Sequence, residues 1–139
     1  MRALDEAVAA ELRAIAPDGA EVFYASAPRD WAGAAYYVHR ATDSRKGRIG
    51  IAGINGTEAR QYEHSIVAVH TDDPDAAEDM RERVAERLQG RRLAPDGWQS
   101  TTPIDWAGEV HDPGDLLPGG ALVYFAGDRW TIDIFRVKQ

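Results

Sequence analysis

The segment from Gln61 to Leu93 constrains the fold most, because a strand-like run in it ends at Asp72-Asp73-Pro74 and an amphipathic helix follows at once. From Ser65 to Thr71, β-branched residues are crowded together and apolar side chains fall on both alternating faces. Apolar residues on both faces are typical of a strand that is covered on both sides. The segment therefore predicts a central strand backed by a helix.

The helix after this strand has well-marked ends. Asp73 is a suitable N-cap, and Pro74 fits the first helical position because the N–H that it lacks has no intrahelical acceptor there. Gly90 is the expected C′ residue, where a left-handed conformation commonly ends a helix. In between, apolar residues recur at three- and four-residue steps and form one stripe: Ala77, Met80, Val84 and Leu88. This stripe predicts the face that packs on the sheet.

The N-terminal half predicts a further helix and two short strands. A second apolar stripe consists of Leu4, Val8, Leu12 and Ile15. Its spacing predicts a helix over about residues 3–16, ended by Pro17-Asp18-Gly19. Residues 21–24 and 34–40 are rich in aromatic and β-branched side chains and are predicted to be strands. The order so far is helix, strand, strand.

The C-terminal part predicts a hairpin after an irregular region. The stretch from Trp98 to Gly120 is rich in proline and glycine, which indicates irregular structure or a single edge strand. Residues 122–125 and 130–137 then flank Ala126 to Arg129, where Gly127 suits the first central position of a type II′ turn. We therefore expect a terminal β-hairpin, with Trp130, Ile132 and Ile134 on one face.

Residues 42–60 carry four glycines and an Asn55-Gly56 pair, which favour a long projecting loop or hairpin over regular strands. The basic residues Arg45, Lys46 and Arg48 lie in it. They form the one basic patch expected to project from an otherwise acidic chain. Either they belong to an ordinary solvated loop, or they contact an acidic neighbour, which is a second copy of the protein or a different partner.

Length and composition indicate one domain over residues 1–139. A chain of 139 residues with 44% hydrophobic residues buries one core, and it is too short for two. The predicted fold class is α+β, with two α-helices packed on a mixed, mainly antiparallel β-sheet. The N-terminus has acidic residues and no uninterrupted apolar run, so neither a signal peptide nor a membrane span is predicted. We expect a protein that is made in the cytoplasm, stays soluble and has no membrane partner.

Composition also excludes several functions. The chain has no cysteine, which rules out disulfides, a Cys-based zinc site and a Cys nucleophile. The net charge of −7 argues against binding nucleic acid through its phosphates. An acidic wall would instead suit a passage through which DNA slides without being held.

No catalytic, cofactor or metal site is predicted. His70 precedes a cluster of acidic residues, Asp72, Asp73 and Asp75, but helix capping explains acidic residues at this place. The four histidines, His39, His64, His70 and His111, form no metal-binding motif, and neither Ser65 nor Ser100 lies in a nucleophile motif. An enzyme is therefore not expected.

The element order resembles the tail terminator (tail completion) family of long-tailed bacteriophages. The matching positions are the Leu4/Val8/Leu12 helix, the Val22-Phe23-Tyr24 strand before Ala27-Pro28, the Tyr36-Tyr37-Val38 strand, the Ser65 to His70 strand, the acidic Asp72-Asp73-Pro74-Asp75 helix start, the Val84/Leu88 helix with its exit at residues 88–93, and the Trp130 to Arg136 strand. The resemblance covers nearly the whole chain and rests on element order and apolar spacing. Residues 98–120 match the family pattern least.

The resemblance implies a structural role without a reaction or cofactor. Members of this family form a ring, usually a hexamer, that caps the completed tail tube, ends its polymerisation and joins it to the head connector. It implies the protein itself, the tube protein and the connector as partners, DNA only as passing cargo, and a place at the head-proximal end of the tail in the virion. Two alternatives stay open: another head–tail connector or neck protein, and a small bacterial α/β binding domain of the immunity type.

Overall fold

The computed structural model describes residues 1–28, 31, 33–43, 57–99, 102–117 and 123–137. Its helices are α1 (Arg2–Ile15) and α2 (Pro74–Leu88), and its strands are β1 (Glu21–Tyr24), β2 (Ala35–Asp43), β3 (Thr57–His70), β4 (Asp105–Glu109) and β5 (Tyr124–Val137). A short 3₁₀ turn spans Gly114–Leu116. Among these described residues, no helix has the length and apolar character needed to cross a bilayer.

The strands form one sheet in the order β1-β2-β3-β5-β4. β1 is parallel to β2, whereas the three other neighbouring pairs are antiparallel. This confirms the predicted α+β class and the mixed, mainly antiparallel sheet. β3 lies in the middle, as predicted, but it begins at Thr57, before the predicted Ser65. It is long because β2 pairs with one side of it and β5 with the other.

Both helices pack on one face of the sheet, α1 over β1 and β2 and α2 over β3 and β5. The core between helices and sheet includes Leu4, Val8, Leu12, Tyr37, Ile66, Leu88, Trp130, Ile132 and Ile134, each at most 2% exposed. The predicted apolar face of the last strand is therefore confirmed. A smaller apolar cluster lies on the opposite face and includes Tyr36, Val38, Val67, Val69 and Leu116.

The predicted ends of α2 are confirmed. Asp73 Oδ1 accepts a hydrogen bond of 2.9 Å from the backbone N–H of Asp75, and Pro74 is the first helical residue. Gln89 is the C-cap, and Gly90 follows it with a φ of 76°. These signals act within one helical turn, so they are readable without knowledge of the rest of the fold.

The predicted terminal hairpin is wrong. Residues 124–137 form one continuous strand, and Ala126 to Arg129 pair with Ser65 to Ala68 of β3 where a turn was expected. Gly127 serves a close approach, because a Cβ at this position would lie 2.6 Å from the Ile66 carbonyl oxygen. A glycine that admits a neighbouring backbone and a glycine that turns a hairpin look the same in sequence.

The sequence predicted no definite strands for residues 98–120 and 42–60, and the structure differs between these two segments. Residues 98–120 contain one edge strand, β4, which was one of the two expectations for this region. The prediction of a loop over 42–60 is wrong at both ends, because β2 continues to Asp43 and β3 begins at Thr57. Residues 44–56, which include Arg45, Lys46 and Arg48, lie outside the described residues.

Candidate interaction surfaces

The two edges of the sheet carry different exposed aromatic side chains. Four large apolar residues in the described part of the chain are more than a third exposed: Tyr24, Trp106, Tyr124 and Phe125. Tyr24 lies on β1 and Trp106 on β4, the strands at opposite edges, and their exposed fractions are 51% and 53%. Exposed aromatic residues with fixed surroundings are typical of binding sites.

Trp106 is held in place by a buried carboxylate. Asp128, on the neighbouring strand β5, is only 4% exposed. Its Oδ1 accepts a hydrogen bond of 2.9 Å from the indole Nε1–H of Trp106. Arg81 of α2 donates from Nε to Oδ2 and from a terminal nitrogen to Oδ1, both at 2.9 Å. This bidentate pairing fixes the carboxylate and, through it, the indole.

The charge around Trp106 is mainly negative. Arg81 also contacts Glu78 at 3.5 Å and Glu109 at 3.4 Å, so one cation faces three carboxylates. Hydrogen bonding to Asp128 is the main cause that raises the pKa of Arg81, and the neighbouring carboxylates act in the same direction. Asp105 adds a further exposed acid at this edge. We call the exposed side of Trp106, Asp105 and Glu109 the Trp106 edge.

A bulge in β4 sets the position of Trp106. Trp106 pairs with Trp130, but Gly108 then pairs with Arg129, so Ala107 is an extra residue in the edge strand. Gly108 has a φ of 131°, and a Cβ there would lie 2.5 Å from a terminal guanidinium nitrogen of Arg129. Bulges bend a strand and change the direction of its side chains. Glycine at 108 therefore permits the bulge that presents Trp106 beside α2.

At the opposite edge, a groove of about 350 Å³ lies between α1 and β1. Its lining residues are Arg2, Asp5, Glu6, Ala9, Arg13, Val22, Tyr24 and His39. We call it the α1–β1 groove. Ala9 and Val22 are apolar and at most 9% exposed, whereas Tyr24 and Arg13 are exposed. The groove thus combines an apolar base with a polar rim.

Asp5 and Arg13 of the α1–β1 groove differ in how far they are paired. Asp5 Oδ1 is buried with no close hydrogen-bond partner in the described part of the chain, but the N-terminal amine lies 3.4 Å from Oδ2 and Tyr24 hydrogen-bonds to the same carboxyl. Burial is the main cause that raises the pKa of Asp5. Arg13 forms no ion pair with any residue that the structure describes. By contrast, Arg2 pairs with Glu6 at 3.0 Å. Among the described residues of the groove, Arg13 is thus a cation that a carboxylate of a partner can pair with.

A buried histidine pair lies beneath the α1–β1 groove. His39 Nδ1 and His64 Nε2 are 2.8 Å apart, and their rings are nearly parallel at 19°. Burial lowers the pKa of His39 to about 4, with a further contribution from Arg13, and it lowers the pKa of His64 well below its usual range. Both imidazoles are therefore neutral at pH 7. The ring of Tyr24 meets His39 edge-on at 5.4 Å, which links the pair to the groove.

The open face of the sheet carries a polar row. Arg40, Ser65 and Arg129 are direct neighbours across β2, β3 and β5. They line a shallow pocket of about 300 Å³ together with residues 109–113 and Leu116. Glu63 pairs with Arg129 at 3.4 Å and partly offsets its positive charge.

The histidines and acidic residues discussed in the sequence analysis lie in different parts of the structure. His70 Nδ1 accepts from the backbone N–H groups of Asp72 and Asp73, and Asp73 caps α2, so these side chains organise the helix start. No three potential ligands among the described residues are grouped so that they could hold a metal ion. His64 is buried in the core, on the same face of β3 as Ile66 and Ala68.

Sequence reasoning missed the histidine pair, the Trp106 anchor and the α1–β1 groove. Each depends on residues from different elements, since 25 positions separate His39 from His64 and 47 separate Arg81 from Asp128. The one local signal for an exposed aromatic residue was Trp106, two residues before Gly108 in a polar stretch. That pattern is compatible with an exposed edge strand, but it does not identify the partner of the indole.

Comparison with known proteins shows a similar fold and no related sequence. No family model matches the chain, and no curated protein matches it in sequence. A solved structure of similar architecture has a TM-score of 0.52 and 12% sequence identity, and the match covers 96% of this chain and 91% of the other. The name of that protein describes no activity or partner. At this identity the likeness shows a shared fold and carries nothing about function.

Proposed function

We propose that this chain is a structural virion protein that caps the tail tube of a long-tailed bacteriophage as a ring. It ends tube polymerisation and forms the joint to the head connector, at the head-proximal end of the tail. The proposal starts from the resemblance of the chain to tail terminators. Its partners are further copies of itself, in a ring that is usually a hexamer in this family, together with the tube protein and the connector protein.

The observation that carries the proposal is the difference between the two sheet edges. Rings form through heterologous contacts, in which one surface of a subunit meets a different surface of the next. The described part of the chain has two such surfaces, the Trp106 edge and the α1–β1 groove, on opposite edges of one sheet. Opposite placement leaves each subunit free to contact two neighbours at once.

The net charge of −7 also supports the proposal. A ring that DNA must pass through benefits from a wall that does not hold the phosphates. DNA is then a cargo that the ring weakly repels. The proposal includes no chemical step and no cofactor.

Tube capping in vitro tests this function. Tube protein is polymerised with and without the full-length chain, and tube lengths and end structures are measured by electron microscopy. We expect capped ends with ring density, and growth that stops when the chain is added. Tubes that grow to the same length with bare ends would contradict the proposal, and sedimentation velocity reports separately whether the chain forms rings alone.

The basic residues Arg45, Lys46 and Arg48 are proposed contacts to a neighbouring subunit or to the tail. Their reversal to glutamate tests this point, and alanine variants at the same positions separate lost attraction from added repulsion. Capping that is unchanged in both sets of variants would remove these residues from the proposal.

The two alternative functions predict different outcomes. A head–tail connector or neck protein would form rings but leave tube length unchanged, and its gene would lie elsewhere relative to the tube gene. A small binding domain of the immunity type would stay monomeric at high concentration and would not join purified tails.

A further inference from the structure

We infer that the Trp106 side chain of one copy docks into the α1–β1 groove of the next copy, and that this contact joins neighbouring subunits. The inference rests on the proposed function in one respect only, which is that the contact repeats around a closed ring. The contact itself is argued from the two surfaces.

Trp106 has the properties of an anchor residue. It is 53% exposed, yet its Nε1–H is already satisfied by Asp128, which Arg81 holds in turn. Docking therefore leaves no indole N–H without an acceptor, and little side-chain freedom is lost because the indole is fixed beforehand. Buried tryptophans with such support are common among residues that dominate interface energies.

The α1–β1 groove has a matching shape and chemistry. Its volume of about 350 Å³ is open at the rim, its base contains Ala9 and Val22, and the Tyr24 ring forms one wall. An indole between an apolar base and an aromatic wall buries most of the surface that Trp106 exposes in a single copy. A small polar ligand would leave this apolar base uncovered.

Charge identifies a second copy of this chain as the occupant. Arg13 at the groove has no ion pair with a described residue, and the Trp106 edge carries Asp105 and Glu109. Glu109 now shares Arg81 with two other carboxylates, so this edge has excess negative charge. An Arg13 of the next copy would offset it. Other acidic surfaces of the chain would repel the negative Trp106 edge, which disfavours other arrangements of two copies.

Side-chain docking suits these edges better than strand addition does. β1 has four residues and is followed by Ala25, whose φ of 68° is left-handed, and β4 has five residues and a bulge. Short and bulged edges discourage a further strand from pairing. The exposed side chains therefore offer the larger contact.

The test uses two variants that each remove one side of the contact. Trp106→Ala removes the anchor, and the combination of Arg13→Glu with Tyr24→Ala alters the groove at exposed positions. Each variant alone should lose assembly by roughly 30-fold or more in the subunit dissociation constant, which corresponds to about 2 kcal/mol. Mixed in equal amounts, the two variants should form heterodimers that grow no further, because one intact contact remains per pair.

Tyr124→Ala is the matched control, since Tyr124 is 48% exposed but lies on β5 away from both surfaces. It should assemble like the unchanged protein. Circular dichroism and urea unfolding show whether each variant is folded, and Glu109→Lys paired with Arg13→Glu provides a test that keeps Trp106. Assembly should be lost in each single charge variant and regained when both changes are present.

Site-directed cross-linking gives an independent measurement, because the chain has no cysteine of its own. Arg13→Cys and Glu109→Cys in one chain lie at opposite edges, so oxidation should link different copies into a ladder that ends at the ring size. Arg13→Cys with Tyr124→Cys should give no ladder.

The outcomes separate this inference from the proposed function. Rings or capped tubes that form equally well with Trp106→Ala, without a cross-linked ladder, would overturn the docking contact and leave the capping role intact. A chain that neither oligomerises nor caps tubes would overturn both. Heterodimers from the mixed variants support the contact even where capping fails.

Discussion

His39 Nδ1 and His64 Nε2 lie 2.8 Å apart in the core, and neither side chain is more than 1% exposed. Only one proton can occupy the line between the two nitrogens, so a neutral pair forms one good hydrogen bond. His64 Nδ1 is buried and has no hydrogen-bond partner among the residues that the structure describes. A second proton on the pair would place a charge in an apolar core near Arg13 and the N-terminal amine, which are both positive.

The pair makes stability fall on acidification. The pKa of His39 is lowered from 6.5 to about 4, mainly by burial, so the unfolded chain binds a proton between these values that the folded chain does not. Stability is then fully present above pH 6.5 and decreases as the pH falls toward 4, by about 3 kcal/mol for this group. Urea unfolding at closely spaced pH values should show this decrease.

Variants assign the pH dependence to the buried pair. His39→Gln should reduce the proton uptake on unfolding near pH 5 by about one proton, measured as the slope of unfolding free energy against pH. His111→Gln is the control, because His111 is exposed and lies outside the buried pair. Equal slopes in the unchanged protein and in His39→Gln would contradict a neutral buried pair.

Replacing Asp128 should destabilise the fold and release Trp106. Asp128→Ala removes the bidentate partner of Arg81, which keeps only its longer contacts to Glu78 and Glu109, and it removes the acceptor of the indole N–H. We expect a cost of about 2 to 4 kcal/mol. Urea unfolding gives the free energy, and Trp106 fluorescence anisotropy in a background with the other tryptophans replaced by phenylalanine gives the mobility of the indole.

Asp105→Ala is the comparison for this change, since Asp105 is exposed and lies beside Trp106 in sequence. It should cost less than about 1 kcal/mol, as expected when an exposed side chain loses one or two hydrogen bonds. Similar losses in both variants would mean that Asp128 is not the residue that fixes Trp106.

The helix cap at Asp73 can be measured against an adjacent aspartate. Asp73→Ala removes the acceptor of the Asp75 N–H and should cost about 1 kcal/mol. Asp72→Ala lies one residue earlier and accepts no such bond, so its effect should stay within about 0.5 kcal/mol. If the order of the two effects were reversed, Asp73 would not be the N-cap.

Gly127→Ala tests the strand that was predicted to be a turn. The added Cβ would lie 2.6 Å from the Ile66 carbonyl oxygen and 2.9 Å from Val67 Cγ2, so neighbouring strands must shift, at a cost of about 1 to 3 kcal/mol. In a double-mutant cycle, Val67→Ala should recover part of the loss caused by Gly127→Ala. Strictly additive losses would assign the clash to the Ile66 carbonyl oxygen and the Val67 Cα, which Val67→Ala leaves in place. A loss below about 0.5 kcal/mol in Gly127→Ala itself would contradict the close approach.

The ends of α2, the apolar stripes of both helices and the central position of β3 were determined by the sequence itself. Their causes are local: Asp73 reaches an N–H two residues ahead, Gly90 adopts its own φ, and Leu4, Val8 and Leu12 share a face by helical geometry. Such features need no knowledge of distant strands.

Only the tertiary structure decided the path of residues 126–129 and the surfaces around Trp106 and His39. Gly127 and Asp128 look like turn residues, but Val67 lies over the glycine and Arg81 neutralises the aspartate, so the strand continues. The register between β3 and its neighbours decides which side chains meet, and a shift of one residue would place them on the other face. That register depends on the packing of the whole sheet, which residues close together in the chain do not specify.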